Sequence, residues 1–171
     1  MAHWYYLNTA PFKSRMILAA GYLTDCPTII ELGGYMSPIS DFLKHPYQKV
    51  ISVDPLTDPK EESKILHLAK DYREVDFTPY TKEDYGIVML GMDLPFSQKL
   101  FELITHAKKV IIEFPPDHLP SAKLFEEILL RSKLQQDLCV HMDLTDNYFQ
   151  KQDSYPVFPK RSLYVFSNTF R

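Results

Sequence analysis

Short apolar runs recur along the chain and alternate with segments in which apolar residues return every three or four positions. The apolar runs lie at 28–33, 49–55, 74–77, 86–91 and 110–114. They are largely continuous rather than alternating, which is typical of strands covered on both faces by helices. The pattern therefore predicts five strands of a buried sheet.

The segments between these runs have the spacing of amphipathic helices. Ser37 can cap a helix that has Pro38 at its first position and an apolar stripe beginning at Ile39. Further helices are predicted over 60–71, 97–108 and 121–132. Strands that alternate with helices favour a parallel sheet with right-handed crossovers, which places the protein in the α/β class.

The last part of the chain has a different pattern. Strands are predicted over 137–144 and 161–168, and the loop 145–160 between them has no helical spacing. Two strands joined without a helix form an antiparallel pair most simply, at the edge of the sheet. The 171 residues contain no repeat or linker and are expected to form a single domain.

Composition narrows the possible partners and location. There are 19 basic and 22 acidic residues, a net charge of −3, so broad nucleic-acid binding is not expected. The apolar stretch 16–23 is too short to span a membrane, and it is not followed by a secretory cleavage site. Cys26 and Cys139 lie far apart and form no zinc-binding cluster. We therefore expect a cytoplasmic protein with reduced thiols.

The turn after the first predicted strand has the residues of a nucleotide site. Gly33 and Gly34 allow the backbone to approach a ligand closely, and they follow Glu31. Asp54 ends the second strand, where a carboxylate can bind both hydroxyls of a ribose. The alternative is a packing glycine pair and a capping aspartate. The phosphate-binding patterns G-x-G-x-x-G and G-x-x-x-x-G-K-[ST] are absent, which disfavours a nicotinamide-dependent oxidoreductase.

With these residues the chain resembles the class I S-adenosylmethionine-dependent methyltransferases over nearly its whole length, from a helix at 14–23 to the last strand. The resemblance implies a three-layer, Rossmann-like α/β sandwich. Its seven-stranded sheet would have the order 3-2-1-4-5-7-6, with the last strand antiparallel. It also implies S-adenosylmethionine as the cofactor and a small molecule or a protein as the methyl acceptor.

The same resemblance implies roles for individual residues. It implies that Glu31, Gly33 and Gly34 lie under the methionine end of the cofactor. Asp54 would bind the ribose and Pro55 would flank the adenine. Asp76, with Phe77, would meet the adenine amino group after the third strand, and Leu90 and Gly91 would lie beneath the methyl group at the end of the fourth. The later glycines of the family's first motif are missing in this chain, where Tyr35, Met36 and Ser37 follow Gly34. Their absence motivates a second hypothesis, a non-catalytic methyltransferase-like binding or scaffold subunit.

Two residues are candidates for a catalytic base. Asp93 follows the fourth strand, where it can alternatively cap the next helix, and His118 follows the fifth strand, where it can alternatively be a surface residue. Glu113 within the fifth strand can point to the core or to the site. Asp117, His118, His141 and Asp143 are scattered over two strands, so no metal site is predicted.

Aromatic residues cluster in two places that can cover a substrate pocket. Trp4, Tyr5 and Tyr6 lie near the start of the chain, and the loop 145–160 carries further aromatic side chains. They are consistent with a flat or apolar acceptor, or equally with a contact in a homodimer or a hetero-complex.

Overall fold

The computed structural model describes residues 10–34, 39–43, 48–56, 65–90, 97–115, 119–143 and 160–169. The helices are α1 (Ala10–Tyr22), α2 (Gln98–Thr105) and α3 (Leu119–Arg131). The strands are β1 (Thr28–Leu32), β2 (Lys49–Val53), β3 (Ile65–Leu68), β4 (Tyr85–Leu90), β5 (Lys109–Phe114), β6 (Leu134–Asp143) and β7 (Lys160–Asn168). Four of the five strands predicted from the leading apolar runs are present within one or two residues of the expected bounds.

The seven strands form one sheet in the order β3-β2-β1-β4-β5-β7-β6. Neighbours from β3 through β5 are parallel, whereas β7 is antiparallel to both β5 and β6. The predicted strand order and the antiparallel last strand are therefore confirmed. From β1 the chain continues outward to β2 and β3 and then returns to β4 on the other side of β1, so the topological switch lies between β1 and β4.

The core has one apolar cluster on each face of the sheet. Adjacent strand residues alternate between them, so Ile29 packs with Met16 of α1 and Ile30 packs with Leu100 of α2. Burial on both faces explains why the central strands read as continuous apolar runs. The helices thereby hold the carboxyl ends of β1, β2, β4 and β5 at a single edge of the sheet.

The prediction for the third strand is wrong. The structure has β3 at Ile65–Leu68, inside the segment expected to be a helix, and residues 74–77 form no strand. Four residues with three apolar side chains fit a helical stripe as well as a strand, and parallel pairing with β2 decides in favour of the strand. Asp71 caps a short 3-10 helix, Tyr72–Glu74, and Val75 and Phe77 are buried after it without pairing in a sheet.

The segment predicted as a helix from Ser37 and Pro38 contains a 3-10 helix over Ile39–Phe42, and Ser37 and Pro38 themselves lie outside the described ranges. The sixth strand starts at Leu134, three residues earlier than predicted. Among the described helices, none is long and apolar enough to cross a bilayer.

Candidate functional site

The turn after β1 is shaped by its two glycines for different reasons. Gly33 has φ 83°, in the left-handed region that favours glycine, and its N–H donates to the Val53 carbonyl at 2.9 Å. A Cβ at Gly34 would overlap the Glu31 carboxylate and Ser52 Oγ. The first glycine therefore turns the chain toward the end of β2, and the second leaves room for a buried carboxylate.

That carboxylate belongs to Glu31, which is buried beneath the turn. Its Oε1 accepts from the Ile39 N–H at 2.6 Å and its Oε2 accepts from Ser52 Oγ at 3.0 Å. Glu31 thus ties β1 to β2 and to the 3-10 helix that follows the turn. In this geometry the side chain fixes the shape of the turn instead of presenting its oxygens to the solvent.

Asp54 lies at the end of β2 and is 3% exposed. Its N–H continues the sheet by donating to the Leu68 carbonyl at 3.1 Å, and its Oδ1 accepts from the Leu56 N–H at 2.8 Å. This second bond closes a tight turn over Pro55, which is exposed. A carboxylate accepts about four hydrogen bonds, so Asp54 can hold this turn and still bind a ligand. The capping role and the binding role are compatible.

Leu56 is 70% exposed directly beside Asp54. An exposed apolar side chain next to a buried carboxylate provides an apolar contact surface and a hydrogen-bond acceptor at adjacent positions. That combination suits a planar base attached to a polyhydroxy sugar.

The first acid after the observed third strand is Asp71, which the sequence analysis missed because it placed that strand too late. Asp71 Oδ1 accepts from the Arg73 N–H at 2.9 Å, and the Arg73 guanidinium pairs with both carboxylate oxygens. These hydrogen bonds lower the pKa of Asp71 to about 2. Asp71 is thus held as an anion just beyond the carboxyl end of β3.

Asp76, the acid named from the sequence, lies on an exposed turn. Its Oδ1 accepts from the Thr78 N–H at 3.0 Å, and hydrogen bonds from Thr78 lower its pKa. Phe77 is buried, with Lys99 Nζ 5.7 Å from its ring centre. In the structure Asp76 does not directly follow a strand, and its role in ligand binding stays a prediction.

Leu90 ends β4 half-buried and lies in register with Glu113 of β5. Gly91, Asp93 and His118 lie outside the described residues. Their predicted roles therefore stay predictions.

Glu113 points into the core and is buried in an ion-pair cluster. Its Oε1 accepts from Arg15 of α1 and from Arg161 of β7, the latter at 3.3 Å. The side chain of Glu113 is completely buried, so it has no access to an acceptor. This cluster connects α1 to the edge of the sheet where β5 ends and β7 begins. Its sequence signal is an acid in an apolar strand and an arginine in an apolar helix.

Within the described ranges, no three His, Cys, Asp or Glu side chains come together in a group that could hold a metal ion. Asp117 and His118 lie outside these ranges, so the four scattered residues considered from the sequence are not all covered by this finding.

The sequence matches no protein-family model, and no curated protein is significantly similar to it. Solved structures do resemble the fold. The N-methyltransferase NodS from Bradyrhizobium japonicum WM9, in complex with S-adenosyl-L-homocysteine, is 13% identical with a TM-score of 0.61, over 96% of this chain and 91% of that chain.

Two further structures are similar over nearly all of this chain. Magnesium protoporphyrin IX methyltransferase (ChlM) from Synechocystis PCC 6803, with bound SAM, has a TM-score of 0.61 at 9% identity and covers 97% of this chain and 89% of that chain. The 1,6-didemethyltoxoflavin-N1-methyltransferase of Burkholderia thailandensis has a TM-score of 0.61 at 12% identity, over 96% of this chain and 80% of that chain. The chain has the class I methyltransferase fold.

Proposed function

We propose that this protein transfers a methyl group from S-adenosylmethionine to a small-molecule acceptor. The observation that carries the proposal is that the Gly33–Gly34 turn after β1 and Asp54 after β2 lie at the same edge of the sheet, beside its topological switch. Ligands of open α/β sheets bind at the carboxyl ends of the strands beside such a switch. The similar solved structures support the proposal because they carry methyltransferase names and several contain the cofactor or its product.

The described residues fit the adenosine half of the cofactor. Asp54 would accept hydrogen bonds from the ribose hydroxyls with the oxygen capacity left after its own turn is closed. Pro55 and the exposed Leu56 would contact the adenine ring. The short turn keeps these groups side by side, so one segment recognises both the sugar and the base.

Asp71 is the residue we assign to the adenine amino group, in place of Asp76. The resemblance gives this role to an acid after the third strand, and the observed β3 ends at Leu68. An anion with a depressed pKa remains an acceptor at neutral pH. Asp76 can still contact the base from the following turn, so both residues enter the experiment below.

The methionine half depends on the turn after β1. Glu31 holds the backbone of this turn by its bonds to Ile39 and Ser52, and acts as a positioning residue. Gly33 and Leu90 lie at the same edge of the sheet and would line the path from the methionine to the methyl group. When bound, S-adenosylmethionine supplies an activated methyl group. The protein has to orient the acceptor and, where the acceptor carries a proton, remove it. Asp93 and His118 remain the predicted bases for that step.

A small-molecule acceptor is favoured over a protein. The names of two similar structures include small molecules, magnesium protoporphyrin IX and 1,6-didemethyltoxoflavin. Trp4, Tyr5 and Tyr6 and the loop residues 145–159, which are predicted to cover the pocket, lie outside the described residues.

The residue assignment is tested by measuring the affinity for S-adenosylhomocysteine in single variants. Asp54→Asn should weaken binding about 10-fold or more, because a charge-assisted hydrogen bond contributes roughly 1.5–3 kcal/mol. Glu126→Gln on the exposed face of α3 is the matched control and should bind like the wild type. Equal affinity of both variants, with both correctly folded by circular dichroism, would contradict the role of Asp54.

The same assay compares Asp71→Asn with Asp76→Asn. We expect the larger loss in the Asp71 variant, because Asp71 follows the observed third strand. A loss confined to the Asp76 variant would restore the assignment made from the sequence.

A further inference from the structure

A thiol and an imidazole lie side by side on the outer strand of the sheet, away from the turns that form the candidate site. Cys139 and His141 are two residues apart on β6 and therefore project from the same face. They lie in register with Tyr164 and Ser162 of β7. Cys139 is half-buried and His141 is exposed, so solvent ions can reach the pair.

The orientation of the imidazole is set by a buried serine. His141 Nδ1 is 2.9 Å from Ser162 Oγ, and Ser162 is buried. This contact turns the other ring nitrogen, Nε2, toward Cys139 Sγ at 3.7 Å. Metal-binding histidines usually have their other ring nitrogen held by a neighbouring polar group, and Ser162 holds Nδ1 of His141 in this way.

The separation of the two ligand atoms fits a tetrahedral ion. Zinc lies about 2.3 Å from a thiolate sulfur and roughly 2.0–2.1 Å from an imidazole nitrogen. With these lengths and a tetrahedral angle, sulfur and nitrogen are separated by about 3.6 Å. The observed distance of 3.7 Å between Cys139 Sγ and His141 Nε2 is close to this separation.

Tyr164 of β7 lies opposite Cys139 of β6. Its ring is fixed by Phe114 and Phe125, at centre distances of 5.2 Å and 4.4 Å. Its hydroxyl is hydrogen-bonded with Ser162 and Cys139. A tyrosine hydroxyl can donate a hydrogen bond to a metal-bound sulfur, so Tyr164 is placed to contact the sulfur of a bound ion.

We propose that Cys139 Sγ and His141 Nε2 bind a thiophilic divalent cation of the zinc type, with water in the remaining positions. On binding, the thiol proton is released to solvent and a sulfur–metal bond forms in its place. From the sequence His141 was considered with Asp117, His118 and Asp143, whereas the structure gives it Cys139 as a neighbour. With two protein ligands the site is open, unlike a closed structural zinc site. The inference is independent of methyl transfer.

The chain provides its own control in the second cysteine. Cys26 is buried, and burial raises its pKa to about 12. Cys26 is therefore the matched thiol that is not expected to bind a metal ion in the folded protein.

The test is a titration of the full, reduced protein with Co²⁺ followed by optical absorption, because cobalt bound to a thiolate gives a near-ultraviolet charge-transfer band. The wild type and Cys26→Ser should show this band, and added Zn²⁺ should remove it. Cys139→Ser should lose it. His141→Gln should weaken binding at least 10-fold, and Ser162→Ala should weaken it by a smaller factor through loss of ring orientation.

Circular dichroism shows whether each variant is folded, and S-adenosylhomocysteine binding provides a second check that does not involve the metal. A thiolate–cobalt band that persists in Cys139→Ser, or no band in the folded wild type, would overturn the proposal. Unchanged affinity in the folded His141→Gln variant would overturn the imidazole assignment.

Discussion

Gly34 is the residue where the shape of the candidate site depends most directly on a missing side chain. Any Cβ there would overlap the Glu31 carboxylate, which is held on both oxygens by Ile39 and Ser52. Because the carboxylate has no room to move away without breaking these bonds, the turn tolerates only glycine. The pair Gly33–Gly34 was recognisable in the sequence, but the reason for the second glycine was not.

Gly34→Ala should destabilise the protein by roughly 1–3 kcal/mol, the usual effect of overpacking a buried site. It should also weaken S-adenosylhomocysteine binding by displacing the turn. The matched control is Gly21→Ala in α1, where an added Cβ has no atom within 4 Å. That variant should be neutral or more stable by up to roughly 1 kcal/mol. Urea denaturation measures both, and equal stability of the two variants would contradict the packing argument.

Asp71 gives the protein a pH-dependent contribution to stability. Hydrogen bonds from Arg73 lower its folded pKa to about 2, below the usual aspartate value of 3.8. A depressed pKa in the folded state stabilises above the unfolded pKa, and this stabilisation is lost as the pH falls through the folded pKa. The pair with Arg73 is largely exposed, so the effect is small and salt-sensitive.

We expect the wild type to be more stable than Asp71→Asn at about pH 5, and this difference to shrink as the pH falls from about 4 toward 2. Urea midpoints of both proteins across this range measure the difference. A difference that stays constant with pH would show that the carboxylate charge is not its source.

At the scale of elements, the cluster of Arg15, Glu113 and Arg161 holds α1 against β5 and β7. Removing one partner of a buried ion pair leaves a charge without compensation, whereas replacing both partners with apolar groups is much less harmful. The cluster is therefore expected to act as a unit that specifies how α1 packs.

Arg15→Met should destabilise the protein by up to roughly 3 kcal/mol, because Glu113 loses one buried partner and keeps the more distant one, Arg161. The double variant Arg15→Met/Glu113→Leu should recover much of this loss, because Arg161 is partly exposed and can remain hydrated. Glu127→Gln, which removes an exposed pair with Arg131, is the control and should change stability by about 0.5 kcal/mol or less. A double variant less stable than Arg15→Met would contradict the account.

The misplaced third strand shows why some elements cannot be predicted from local patterns. Ile65, Leu66 and Leu68 lie in a short segment whose spacing suits a helix or a strand, and the deciding contact is the distant pairing with β2. The central strands were predictable because helices bury both of their faces, leaving long apolar runs. The different position of β3 also makes Asp71, instead of Asp76, the first acid after the third strand, and it motivates the proposed role of Asp71.

At the scale of the whole molecule, the residue pattern predicted the kind of sheet, and the family resemblance predicted its strand order. The alternation of strands and helices, with two strands joined without a helix at the end, leads to a sheet with an antiparallel last strand. Side-chain roles depend on contacts between distant segments, as with Glu31 and Ile39 or Glu113 and Arg15, and no spacing in the sequence reveals them. The place of Asp54 at the end of β2 was predictable because the apolar run of that strand stops there, and its binding role stays a prediction.

The fold places the Gly33–Gly34 turn, the buried carboxylate of Asp54 and the exposed side chain of Leu56 at one edge of the sheet, beside the topological switch. The central claim is that this edge binds S-adenosylmethionine. Isothermal titration calorimetry of the wild-type protein with S-adenosylhomocysteine, with NAD in parallel, tests it most directly. The account predicts one-to-one binding of S-adenosylhomocysteine in the micromolar range and no heat with NAD. No binding of S-adenosylhomocysteine would contradict it and favour a non-catalytic subunit, and binding of NAD alone would favour an oxidoreductase.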